Sequence, residues 1–147
     1  MPSSIFTAPQ YDPRRERRMK TVVAAVAAAA IMVGVLAYLN RNWPEERVVD
    51  RFFTSVVNKD FEKAYGIWLH DPNWKQHPQN PNYSFRDFSN DWGQGGEWGS
   101  IKSFHIDGSG SPRNGSGVVV VVTINERKEP ARLWVEKKDK TLTFSPY

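Results

Sequence analysis

The sequence predicts an α+β domain carried behind one transmembrane helix, on three observations. Residues 21–39 form a charge-free apolar run; two amphipathic segments of helical period follow it; four short stretches rich in β-formers close the chain. At about 1.5 Å of rise per residue, the nineteen residues 21–39 are just long enough to cross a hydrocarbon core of about 30 Å. A buried core helix normally keeps a polar face, and this run has none. A cleavable signal peptide normally has an apolar region of about 7–15 residues ending in a small-x-small site. Tyr38, Leu39, Asn40 and Arg41 offer no such site, so a retained anchor is expected.

The division expected is therefore a basic tail over 1–20, a membrane helix over 21–40 and one exported domain over 41–147. The tail carries three Pro, scattered polar residues and an Arg-rich cluster, and reads as disordered. Five cations (Arg14, Arg15, Arg17, Arg18 and Lys20) precede the span, against three (Arg41, Arg47 and Arg51) soon after it. That bias places the N-terminus in the cytoplasm, with Tyr38 and Trp43 at the far headgroup level. Within the span, Ala27, Ala30, Gly34 and Ala37 put small side chains on one face, where another helix can approach.

The net charge of +4 suggests nucleic acid until it is partitioned. From Arg41 onward there are fifteen Lys or Arg and fourteen Asp or Glu, so the basicity belongs to the tail, beside anionic lipid. No nucleic-acid partner is expected. The absence of cysteine excludes disulfides and thiolate chemistry. Six Trp, all after the span, supply packing instead.

Pro44, with Glu45 and Glu46 behind it, starts the first helix of the domain. Val48, Val49, Phe52, Phe53, Val56 and Val57 share one half of its circumference, a width suited to covering a sheet. Asp60 caps a second helix through about Leu69, with Phe61, Ala64, Tyr65 and Trp68 on one side. Residues 70–83, dense in Pro, Asn and Gln, form a loop. Ser84 caps a third helix, and 93–99 turns. Strands are expected over 101–106, 118–125, 131–136 and 141–145 as an antiparallel meander. If Val118, Val120, Val122 and Ile124 face the helices, Val119 and Val121 point away, and with Trp134 they leave an apolar surface for a second copy or another subunit.

The run ERVVDRFFTSVVNKDFEKAYGIW and the closing GVVVVVTINERKEPARLWVEKKDKTLTFSPY resemble the opening and the curved meander of the nuclear transport factor two-like (NTF2-like) superfamily. The resemblance covers about residues 45–147 and implies a cone-shaped domain of three helices on a curved four-stranded sheet. The layout is also similar to anchored type IV secretion subunits, which implies a bacterial inner membrane and a periplasmic domain. No functional residue of those subunits matches here. The resemblance further implies a pocket, with Tyr65, Trp68, Asp91, Trp92 and His105 at its mouth. Asp91 with Tyr65 is the pair that an isomerase or lyase would use as base and oxyanion donor. His70, His77 and His105 have no metal-ligand spacing, so neither metal nor cofactor is expected. The expected function is non-catalytic: an accessory or scaffold subunit binding membrane-complex partners, the alternative being a ligand binder or anchored enzyme.

Overall fold

The computed structural model describes residues 12–78 and 80–147, which form two compact units, one ending at Arg41 and one beginning at Asn42. The first unit is a single helix, α1 (Pro13–Leu39). It is the one described helix long and apolar enough to cross a membrane, a property that an anchor and a signal sequence share. The helix begins eight residues before the apolar run, so residues 13–20 are helical where a disordered tail was expected. The reason is local. Pro13 occupies the first turn, the Asp12 carboxylate accepts from the Arg14 N–H at 2.9 Å, and Glu16 pairs with Lys20 one turn on at 2.7 Å. Residues 1–11, the remainder of that tail, lie outside the described residues. The apolar side chains of α1 are exposed throughout, and a Cβ added at Gly34 would meet nothing within 4 Å.

The second unit is an α+β domain. Its helices are α2 (Trp43–Val57), α3 (Phe61–Trp68) and α4 (Phe85–Trp92), with a single 3₁₀ turn at Trp74–Gln76 in the connecting loop. Its strands are β1 (Phe104–Gly110), β2 (Gly117–Ile124), β3 (Ala131–Glu136) and β4 (Leu142–Phe144), a fully antiparallel meander in sequence order. The broad stripe on α2 behaves as its period requires: Val48, Val49, Phe52, Phe53 and Val56 are buried, and Val57 is half-buried. Asp60 caps α3 by accepting from the Lys63 N–H at 3.1 Å. Ser84 and Asp87 close a reciprocal capping box on α4.

Phe52 sits at the middle of the core. Its ring lies 5.0–6.0 Å from those of Phe53, Trp68, Phe88 and Trp92, mostly edge to face. From the sheet, Val118, Val120, Val122 and Ile124 press on this cluster, each fully buried. Phe104 stacks on Phe53 from β1. One charge is enclosed with these groups: Glu45, expected only to face the helix dipole, is buried and accepts from Lys140 Nζ at 2.6 Å. That ion pair ties the start of α2 to the β3–β4 turn.

β1 lies three residues later than the periodicity suggests. The segment before it belongs to the Asn125 side chain, whose Oδ1 accepts from the backbone N–H groups of Lys102 and Ser103 and whose Nδ2 donates to the Ser100 carbonyl. With those groups satisfied by a side chain, ladder pairing starts at Phe104. At the other end a bulge between Ile106 and Gly108 carries pairing on to Gly110, into the Gly-Ser stretch expected to be a linker.

Candidate functional site

Within the domain the helices that touch the sheet, α2 and α3, pack on one side, and no described helix or strand of the domain packs on the other. Alternation along β2 puts Val119 and Val121 on that bare side, each half-buried by its flanking strands. The register completes the surface. Val119 lies opposite Trp134 and Val121 opposite Arg132 on β3, while on β1 the same two valines lie opposite Gly110 and Gly108. Because the bulge at Asp107 shifts the β1 register, it is these glycines, not the neighbouring Ser109, that flank the valines. Neither glycine has a side chain to cover them, so the valine stripe stands open along its β1 edge. Ser109 takes the helix side, where its Oγ donates to Glu46 Oε1 at 2.6 Å.

Trp134 forms the other border. Its indole lies against the start of β2 so closely that a Cβ on Gly117 would come within 2.5 Å of it, and one on Gly115 within 2.8 Å. Nε1 donates to Glu136 Oε2 at 3.4 Å, and the Tyr147 ring packs beside the indole at 5.8 Å. The result is a strip of two valines and two rings, with Arg132, His105 and Glu136 around it. The structure thus places Val119, Val121 and Trp134 on one face of the sheet.

The five residues expected around a pocket do not share one wall. Tyr65, Trp68 and Trp92 are buried core residues packed against other rings: Tyr65 on Trp74, Phe85 and Phe88, and Trp68 on Trp92 and Phe144. Asp91 is exposed on α4. His105 pairs with Thr123 on the bare side of the sheet, opposite in sense to Phe104 and Ile106, and so belongs with the valine strip. Alternation with Phe104 and Ile106 turns it there, away from the pocket mouth where the resemblance puts it.

Tyr65 and Asp91, the acid–base candidates, are separated by a residue that the sequence reading passed over. The Tyr65 hydroxyl donates to the Tyr83 carbonyl at 2.6 Å, and the Tyr83 hydroxyl donates to Asp91 Oδ2 at 2.9 Å. Burial, reinforced by the Asp91 carboxylate, holds the Tyr83 phenol well above its ordinary pKa. Tyr65 is pushed up the same way, by burial first and the charge of Asp87 second. Both phenols therefore stay protonated donors at neutral pH, and this network closes the helical layer. Tyr83 was legible: it directly precedes the Ser84 cap, and Phe88 stands at the fourth helical position, the two ends of a hydrophobic staple whose rings lie 6.0 Å apart.

One further concavity lies in the helical layer. A cleft of about 680 Å³ runs over the outer face of α3, between α2 and the 72–76 loop. Compared with known proteins, the chain matches no protein-family model, no curated sequence and no solved structure, so these surfaces alone carry its functional reading.

Proposed function

We propose that this protein is a single-pass, membrane-anchored accessory or scaffold protein whose exported domain binds other subunits of a membrane complex, or a second copy of itself, without catalysis. The observation that carries the reading is the bare sheet face, where Val119, Val121 and Trp134 form one apolar strip with no described element of the domain over it. Contiguous apolar surface of this kind is what partner interfaces use. On this reading α1 stays in a bacterial inner membrane with its N-terminus in the cytoplasm, and Ala27, Ala30, Gly34 and Ala37 offer a smooth face to a partner helix. The domain is read as a small NTF2-like cone of three helices on a curved sheet, supported by the order of helices before a four-stranded meander. The rival reading, a ligand binder or anchored isomerase or lyase, needs an interior pocket. The burial of Tyr65, Trp68 and Trp92 against other rings weighs against it.

The test is the double variant Val119→Lys, Val121→Lys in the full-length protein. Both positions are half-exposed, so the variant is expected to melt within a few degrees of wild type. After mild detergent extraction it is expected to lose the proteins, or the second copy, that accompany the wild-type chain. An unchanged set of companions would refute the sheet face as the interface.

A further inference from the structure

The cleft over α3 has a composition that specifies an occupant. Its floor is apolar: Val48 of α2, Gly66 and Ile67 of α3, and the Trp74 indole. Gly66 lets the loop that forms the far wall close on α3, because a Cβ there would press on the Asp71 carbonyl at 3.1 Å and on Trp74 at 3.3 Å. The indole itself is held in place, with its Nε1 donating to the Glu62 carbonyl at 3.1 Å and its ring packed on Tyr65 and Phe85.

The rim carries Arg51, Lys63, Lys75 and His70 against Asp60 and Glu62. Both carboxylates are already engaged: Asp60 caps the N-terminus of α3, and Glu62 accepts from Lys75 Nζ. Among the described residues, Arg51 bonds only to its own helix, through Nε to the Arg47 carbonyl at 3.4 Å, and no carboxylate pairs with the Lys63 ammonium. Two unpaired cations thus flank an apolar trough set on two helices, and the three Lys and Arg of the rim outnumber its two carboxylates. We infer that this cleft binds an acidic, amphipathic segment of a partner polypeptide, with its apolar side chains against Ile67 and Trp74 and its carboxylates against Arg51 and Lys63. The inference deepens the scaffold reading. The cleft lies in the helical layer and the valine strip on the far side of the sheet, so a domain holding both would join two partners.

The test uses the full chain in phosphatidylcholine nanodiscs, with empty nanodiscs as blank. The probes are a fluorescein-labelled twelve-residue peptide of alternating Glu and Leu pairs and the same peptide with Lys for Glu. Fluorescence anisotropy is expected to show binding of the Glu peptide that weakens with added salt, and none of the Lys peptide. Arg51→Glu with Lys63→Glu is expected to weaken the Glu peptide roughly tenfold or more, the effect of two exposed charges reversed together. Val119→Lys with Val121→Lys is expected to leave it unchanged. Equal binding of both peptides, indifference to the charge reversal, or preference for a small apolar acid such as dodecanoate over the peptide would each overturn the inference. Those failures leave the sheet-face reading standing, whereas failure of the strip variant to release companions removes that reading and leaves the cleft untouched.

Discussion

The two faces of this sheet are built from the same strands and have opposite fates. On β2 the even-numbered residues Val118, Val120, Val122 and Ile124 are fully buried, while Val119 and Val121, of the same residue type and on the same strand, remain half-exposed. The difference lies in what stands across from each face. One side meets α2 and its phenylalanines; the other has no element of the domain across from it and is bordered within the sheet by glycines on β1 and a tryptophan on β3. Burying a Val side chain is worth about 1.5–3 kcal/mol relative to leaving it exposed. The outward valines leave part of that stabilisation unrealised within the domain and available to whatever covers them.

The contrast is broken most severely by Phe52→Ala. Emptying a fully buried aromatic site that touches four other rings is expected to cost about 3–5 kcal/mol, read as a shift in the denaturation midpoint. Val121→Ala, on the other face, is expected to stay within about 1 kcal/mol. Equal losses at the two sites would mean that the outward face is as deeply engaged in folding as the inward one.

The inward face was the more legible in the sequence, for a physical reason. A helix period spread over Val48, Val49, Phe52, Phe53 and Val56 averages over several turns, so one misplaced residue does not erase it, and alternation on β2 reads with equal ease. The outward face depends on single events. The Asn125 side chain takes the backbone groups that were to begin β1, and one bulge at Asp107 decides whether Gly108 or Ser109 flanks the valines. The Glu45–Lys140 pair joins residues 95 positions apart in the chain and leaves no local mark. Likewise the cleft over α3 is made by a loop whose composition announced only that it was a loop.

A smaller effect sharpens the comparison on the outward side. Gly117→Ala places a Cβ 2.4 Å from the Val135 carbonyl oxygen and 2.5 Å from the Trp134 indole, a clash that the backbone and the ring have to relieve together. Overpacking of this kind costs about 1–3 kcal/mol. The near-ultraviolet circular dichroism of the tryptophans is expected to change as Trp134 leaves its seat, with the inward rings undisturbed. An unaltered spectrum and midpoint would show that Trp134 is loosely held, and the strip would lose its aromatic border.

The smallest effect concerns the rim of the inward side, where Tyr83 closes the helical layer onto Asp91. Its phenol has a raised pKa in the folded domain, from burial first and then from Asp91, so folding favours the protonated form. The sign follows by linkage. The stabilisation is fully present below the unfolded tyrosine value of about 10 and is lost as pH rises from there through the higher folded value. Tyr83→Phe removes the hydroxyl and with it that dependence. The advantage of wild type over this variant, about 1 kcal/mol near neutral pH for one hydrogen bond, is expected to shrink steadily once pH passes about 10. Tyr65 shifts in the same direction and remains in both proteins, so it cancels in the difference. Denaturation midpoints of the two chains, compared at pH values from neutral to strongly alkaline, decide the point. A constant difference would place the Tyr83 hydroxyl in water, and the inward layer would then have an open rim like the outward one.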